Sequence, residues 1–344
     1  MSERHELATP EELAPALRSV ELVLSELDRA LLGRTTLHRQ VLAAVMSRGH
    51  VLLEGLPGLG KTMLIKRLGE VLGLGFSRVQ FTPDLMPGDI LGAHILQESS
   101  GGSRELSFRP GPVFTNLLLA DEINRASPKT QSALLEAMQE SAITLLGQTR
   151  PLPDPFFVLA SQNPIDLEGT YPLPEAQLDR FLFKLKVDAA GMQVLQDIVM
   201  TRRRGALPPV GATLGADALA TLFATMDRIV LPRAVASYVA RIVAATHPGS
   251  REATPNVTAY VTYGASPRAA IALSESARAI ALIAGRPTVG FEDVRAVANA
   301  VLNHRVILGY RSRLEGITGE RLIDELLKAI DPASLDLPAD VVVS

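Results

Sequence analysis

Between Glu11 and Leu31, the residues Leu13, Leu17, Val20, Leu24, Leu27 and Leu31 recur at spacings of three and four. That is the period of a helix with one apolar face, and it predicts a helix leading into the rest of the chain. From residue 50 the pattern changes. Short apolar runs at His50 to Gly55, Phe76 to Thr82, Asn116 to Glu122, Phe156 to Asn163 and Phe181 to Val187 alternate with helix-like segments. Strands buried on both faces read as continuous apolar runs, so the alternation predicts βαβ units and a mostly parallel sheet, an α/β fold.

Local signals refine this outline. Ser127 followed by Pro128 reads as an N-cap with Pro at the first helical position, opening a helix over Lys129 to Glu140 with Ala133, Leu134 and Ala137 turned inward. The segment His94 to Arg109 alternates around Ser99 to Gly102, and Ala142 to Leu152 alternates around Gly147 and Gln148. Both predict β-hairpins. After about Asp188 strand signals stop and helical periods take over, so a separate all-helical domain is expected. Asp331 to Ser344 carries Pro and reads as a loose end.

Composition narrows the class. With 344 residues, 47% hydrophobic and 21% charged, the chain can bury two cores and is neither disordered nor fibrous. Thirty-four Lys and Arg against 37 Asp and Glu leave a net charge of −3, without the basic excess that drives phosphate-backbone binding. There is no Cys, which excludes disulfides and thiolate metal ligands and fits a reducing cytoplasm. The charged N-terminus does not read as a signal peptide, and no apolar run approaches the roughly 20 residues that span a bilayer. A soluble, cytoplasmic protein is expected, with no membrane insertion. The cluster Arg202-Arg203-Arg204 beside Gly205 reads as a solvated helix end, and His247 and His304 lack partners at metal spacing.

Three segments carry chemistry. Gly55-Leu56-Pro57-Gly58-Leu59-Gly60-Lys61-Thr62 follows the apolar Val51-Leu52-Leu53 and precedes a helical period in Leu64, Leu68 and Leu72. This is GxxxxGK[ST] between a strand and a helix, where glycines let backbone N–H groups cradle phosphates at a helix N-terminus. Lys61 is expected to reach the β and γ phosphates and the Thr62 hydroxyl to meet Mg²⁺, with Met63 beside them. The run Asn116 to Glu122 ends in two carboxylates: Asp121 suits a Mg²⁺ ligand, and Glu122 suits the base that orients the attacking water, although a strand end paired with Arg125 has the same pattern. Asn163 closes the fourth run, expected beside the P-loop strand, where a neutral amide can hold water against the γ phosphate; an Asn that satisfies the turn before Pro164 is the alternative.

The segments GLPGLGKT, VQFTPDLMPGDILG, FRPGPVF, LLLADEINRASPKTQSALLEAMQE, RPLPDPFFVLASQNPI, EGTYPLPEAQLDRF and GASPRAA together resemble the MoxR-type AAA+ ATPases over nearly the whole chain. The resemblance implies an αβα sandwich with a five-stranded parallel sheet, followed by an all-helical lid, and ATP with Mg²⁺ bound between neighbours of a homo-oligomeric, usually hexameric, ring. It divides the chain into an N-terminal helix (1–30), a nucleotide-binding core (31–188) and a lid (189–344). The hairpins at about 92–110 and 141–153 then match the helix-2 insert and the pre-sensor-1 hairpin of this clade. Walker A falls on Gly55 to Thr62, Walker B on Asp121 and Glu122, and sensor 1 on Asn163. Arg180, in QLDRF, matches the arginine finger, and Arg268, in GASPR, matches sensor 2. A residue just before the fifth strand lies away from the P-loop of its own sheet, so Arg180 suits action on a neighbour. Leu32 and Gly33 resemble an adenine-contacting turn, and are equally compatible with an apolar pair before a helix.

The implied function is remodelling or activation of partner proteins bearing von Willebrand factor A domains. The motor subunit of a metal chelatase shares the core and inserts, but GTYPLPEAQLDRF and FRPGPVF favour the MoxR type. A DNA-translocating ring is disfavoured by the net charge, by the lack of Trp and by an aromatic content of 4%.

Overall fold

A computed structural model describes residues 7–98, 104–164, 169–202 and 207–331. The chain packs as two units, one formed by residues 18–220 and the other by residues 1–17 with 221–344.

The first unit is built on a five-stranded, all-parallel sheet of β1 (Val51–Glu54), β2 (Phe76–Gln80), β5 (Leu117–Asp121), β8 (Phe157–Gln162) and β9 (Phe183–Lys186), in the spatial order β2-β5-β8-β1-β9. All five apolar runs are strands. Every residue of β5 is buried, as are five of the six in β8, which is why these segments read as unbroken apolar stretches. β2 is an edge strand, and Arg78 and Gln80 there are exposed.

The helices of this unit are α1 (Pro10–Ala30, shared across the boundary), α2 (Thr35–Met46), α3 (Lys61–Leu72), α4 (Pro87–Leu91), α5 (Pro128–Glu140), α6 (Glu175–Leu178) and α7 (Met192–Thr201). The sequence places α1 and α5 within one residue. Ser127 caps α5 by accepting from the Thr130 N–H at 3.4 Å, and Pro128 stands at its start. The buried face of α5 is wider than apolar periodicity predicts, for it includes Thr130 and Gln131, while Ala133 is only partly covered. The two polar residues are buried because they are bonded: Thr130 Oγ1 donates to the Leu85 carbonyl, and Gln131 Nε2 donates to those of Ile123 and Tyr171.

Both hairpins form. β3 (Gly92–Glu98) pairs with β4 (Arg104–Pro110), and β6 (Ala142–Leu145) pairs with β7 (Gln148–Pro151). The expected first turn, Ser99 to Gly102, lies outside the described residues. The second turn is Leu146-Gly147, with φ of +50° and +75°, so Gln148 begins the returning strand rather than sharing the turn. The two hairpins touch, with the Arg150 guanidinium 4.2 Å over the Phe108 ring.

The second unit is helical, as expected, apart from one ribbon. It comprises α8 (Ala216–Asp227, shared across the boundary), α9 (Arg233–Ala245), α10 (Pro255–Tyr260), α11 (Pro267–Ile283), α12 (Phe291–Leu302), α13 (Tyr310–Leu314) and α14 (Gly319–Ala329). Helix α11 packs on α9 and α12. β10 (Val261–Tyr263) pairs antiparallel with β11 (Ile307–Leu308), strands too short to leave a period in the sequence.

Named bonds account for where the two units divide. Arg67 on α3 donates to the Pro208 carbonyl at 2.5 Å and the Leu214 N–H donates to Val71 at 2.7 Å, so residues 207–214 run along the helix that follows the P-loop. At the other end, Glu12 pairs with Arg228 at 2.9 Å within the helical unit. Among the described residues no helix is long and apolar enough to cross a membrane.

Candidate nucleotide-binding site

The loop Gly55 to Gly60 leaves β1 and opens α3 at Lys61. Gly58 (φ +80°) and Gly60 (φ +85°) hold the left-handed conformations that bend its N–H groups inward, and side chains would strain both. A Cβ on Gly55 would stand 2.6 Å from the Val187 carbonyl oxygen, so the loop passes β9 with backbone alone. Lys61 Nζ donates to the Gly55 carbonyl at 2.5 Å. Burial pushes the Lys61 ammonium below its usual range, while the carboxylates of Asp121 and Glu122 oppose that shift.

β5 ends at Asp121, and the chain turns sharply at Glu122, which takes a left-handed conformation (φ +56°, ψ +49°). A non-glycine residue there costs roughly 1–2 kcal/mol, and such strain concentrates at functional sites. The turn is held by Ser161 on the neighbouring β8. Its hydroxyl donates to Asp121 Oδ1 at 2.5 Å and accepts the Glu122 N–H at 3.0 Å. Asp121 Oδ2 faces Arg78 of β2, with Nη2 at 2.7 Å. Glu122 pairs with Arg125 at 3.0 Å, as one reading of the strand end anticipates. Asn163 is buried just past β8, beside the P-loop strand, and its backbone carbonyl accepts from Asn124 Nδ2 at 3.4 Å.

These elements converge on a cleft of about 310 Å³, lined by Pro57, Gly58 and Gly60 to Met63 of the loop and α3, by Arg78 and Gln80, and by Asp121, Glu122 and Asn163. Its acidic end suits Mg²⁺ in donor chemistry. The Thr62 hydroxyl and the Asp121 carboxylate are hard oxygen donors that both line the cleft. That is the arrangement Mg²⁺ uses when phosphates and water supply most of its ligands. A second cleft of about 370 Å³ adjoins it, sharing Gly58, Gly60 and Met63 and lined otherwise mainly by apolar groups, including Leu32, Leu59, Leu195 and Ile198.

The fold thus brings Lys61 and Thr62, the carboxylates of Asp121 and Glu122, and Asn163 together on one cleft. Of the pair Leu32-Gly33, only Leu32 lines the second cleft. Gly33 (φ +69°) packs so closely that a Cβ would meet Val194 at 2.4 Å, so its role is to let α7 approach the turn. Arg180 stands apart. It precedes β9 near the end where Leu182 bonds His50, opposite the end from which the P-loop leaves β1. Arg268 follows Pro267 at the start of α11, in the other unit. Arg202 donates to the Arg29 carbonyl and lines the second cleft, whereas Arg203 and Arg204 lie outside the described residues. His247 bonds the Ala265 carbonyl at 3.0 Å and His304 bonds Asn303, structural roles both.

Arg78, Gln80 and Ser161 were not singled out by motif. The alternation Arg78-Val79-Gln80 at a strand end was the available signal for the first two, since it sends both polar side chains to one face. Ser161 is a small residue inside an apolar run and gives no such sign.

Comparison with known proteins agrees with this geometry. The ATPase family associated with various cellular activities (AAA) matches residues 50–183, and the AAA lid domain matches residues 254–326. Chaperone MoxR1 of Mycobacterium tuberculosis is 41% identical over 321 residues, covering 93% of this chain and 84% of that protein. YeaC of Bacillus subtilis is 40% identical over 336 residues, covering 94% and 97%. The crystal structure of a candidate ATPase from Cytophaga hutchinsonii superposes with a TM-score of 0.86 at 35% identity, over 93% of this chain and 97% of that one. Identity of 41% to a MoxR protein over most of both chains, together with the AAA family match over the P-loop sheet, identifies the chain as a member of the MoxR family of AAA+ ATPases.

Proposed function

We propose that this chain is a Mg²⁺-dependent ATPase that works as a chaperone-like remodeller of partner proteins. The observation that carries the reading is the convergence of Lys61, Thr62, Asp121, Glu122 and Asn163 on one cleft at the C-terminal ends of the strands. The loop N–H groups and Lys61 hold the polyphosphate. Mg²⁺, held by Thr62 and Asp121, would supply neutralisation of charge on the phosphates. Glu122 takes a proton from the attacking water, which Asn163 orients. The adjoining apolar cleft, with Leu32 and Leu195, suits a flat base.

Two arginines complete the reading. Arg180 acts on the nucleotide of a neighbouring copy, because it stands at the wrong end of its own sheet, and this makes a ring, hexameric by family resemblance, the working state. Arg268 senses the γ phosphate from the lid. The domain ranges 1–30, 31–188 and 189–344 belong to this proposal, as do a cytoplasmic location and a partner with a von Willebrand factor A domain. The name of the M. tuberculosis relative, a chaperone, supports the remodelling role. The test is phosphate release by the purified chain with Mg²⁺ and ATP, followed alongside its mass in solution. Hydrolysis that depends on Mg²⁺ and on assembly supports the reading, and no release above background by the assembled chain overturns it.

A further inference from the structure

Arg78 lies in the middle of an edge strand, where an exposed side chain normally points to water. Here it bends toward the C-terminal end of the sheet. Nη2 donates to Gln80 Oε1 at 2.8 Å and to Asp121 Oδ2 at 2.7 Å, and Nε donates to the same Oδ2 at 3.2 Å. The other oxygen, Oδ1, takes the Ser161 hydroxyl at 2.5 Å. Both oxygens of Asp121 thus face donors of the chain itself.

Stability does not account for this pair. The Arg78 side chain is 47% exposed, and an ion pair so open to water contributes little. Its position is more telling, since Arg78 lines the same cleft as Lys61, Thr62 and Asp121. A guanidinium on Oδ2 opposes any second cation that approaches that oxygen. Among the described residues its Nη1 makes no hydrogen bond, and a planar fork with donors to spare matches phosphate oxygens.

We propose that Arg78 is a positioning residue that competes with the metal for Asp121 Oδ2 and passes to the phosphate oxygens of the nucleotide when the metal takes its place. The inference rests on the nucleotide-site reading above. Its consequence is ordering: a bare cation is discouraged at Asp121, and one that arrives with a polyphosphate is admitted because the displaced guanidinium gains a new anion.

The test uses the full chain and two readouts. Binding of Mn²⁺ alone is followed by electron paramagnetic resonance, and turnover is measured at saturating Mg²⁺ and ATP. Arg78→Met keeps the apolar stem and removes the charge. It should bind Mn²⁺ two- to fivefold more tightly, the range of a half-exposed ion pair, and lose about 10²-fold in turnover, as when one donor to developing phosphate charge is removed. Arg78→Lys should keep the weak Mn²⁺ affinity and recover part of the turnover, and it covers the case in which the methionine variant folds poorly. Unchanged or weaker Mn²⁺ binding in Arg78→Met overturns the competition, and unchanged turnover overturns the transfer to phosphate. Asp121→Asn separates the two levels of argument. If it leaves Mn²⁺ binding intact, the metal assignment of the site fails. If it abolishes binding while Arg78→Met has no effect, only the role of Arg78 fails.

Discussion

Ser161 and Asp121 are joined across the β5–β8 pair by a 2.5 Å hydrogen bond, and the same hydroxyl receives the Glu122 N–H at 3.0 Å. One small side chain therefore fixes the orientation of one carboxylate and the backbone turn that aims the other. Ser161→Ala should leave ATP affinity within about twofold, since the P-loop is untouched, and lower turnover about 10- to 100-fold, the usual cost of losing a group that orients a metal ligand. Nucleotide titration beside steady-state kinetics checks this, and equal losses in both would show a general disruption instead.

On the proposed reading, Lys61 holds the phosphates of ATP while Glu122 acts on the attacking water. Lys61→Ala should weaken ATP binding, whereas Glu122→Gln should bind ATP normally and lose roughly 10² to 10⁴ in turnover, the range for a positioned base. Calorimetric ATP titration of the two variants distinguishes them. Loss of binding in both would contradict the division of roles.

Arg180→Ala should nearly abolish turnover while ATP binding survives, because a finger supplied by a neighbour is worth roughly 10³ to 10⁵ in rate. Mixing Arg180→Ala with Lys61→Ala subunits gives the sharper measurement. Some interfaces then join an intact loop to an intact finger, so activity should return in part and fade on dilution. Mixed assemblies without activity would make Arg180 a structural surface residue. For Arg268→Ala the quantity to measure is the ratio of ATP to ADP affinity, which should fall if the lid reads the γ phosphate.

His50 makes a pH-dependent contribution to the fold. Its Nε2 meets the Met138 carbonyl at 3.1 Å, and its Nδ1 accepts the Val158 N–H at 3.0 Å, so the neutral ring joins α5 to β8. Burial depresses its pKa from 6.5 to about 4, partly offset by the Met138 carbonyl. A histidine whose folded pKa is depressed takes up a proton more readily when unfolded, so stability is full above pH 6.5 and falls as the pH drops toward 4. The loss amounts to at most ~3 kcal/mol at that end. Denaturant midpoints from pH 7 to 4.5 should fall more steeply for the wild type than for His50→Gln, and parallel slopes would rule the effect out.

Leu146 begins a two-residue hairpin turn at φ +50° and is 77% exposed. Leucine is ill suited to such a turn, which favours Asn followed by Gly, and Gly147 already fills the second place. Leu146→Asn should raise stability by about 1 kcal/mol. A lower thermal midpoint would show that the leucine packs on something in solution.

How far the sequence revealed this molecule depends on which interaction shaped each segment. Central strands such as Leu117 to Ala120 are apolar throughout because both faces are covered, and glycines mark a loop that must bend its amides inward, so sheet and P-loop were both legible. Arg78 was not, because an edge strand mixes polar and apolar residues and nothing local says that the guanidinium turns toward a carboxylate 43 residues away. The same holds for the packing of residues 207–214, which depends on a bond from Arg67 across 141 positions. Gly33 was legible only as part of a turn resembling an adenine contact, and the need for glycine there lies in the Val194 side chain packed against it, 161 positions along the chain, which no local pattern announces.

Arg180 and the P-loop stand at opposite ends of neighbouring strands, with the five residue steps from His50 to Gly55, about 17 Å of extended backbone, between those ends. A surface that presents a donor at one end and an acceptor at the other is not self-complementary. Two copies joined through such ends still carry one unmatched donor and one unmatched acceptor, and a third copy can add to either. What limits growth is then geometry rather than affinity: the rotation between successive copies either divides a full circle and closes, or fails to and winds into a filament. If Arg180 serves a neighbouring copy as proposed, residues at this junction set subunit number through an angle, and a substitution that shifts it slightly changes the size of the assembly without weakening a single contact.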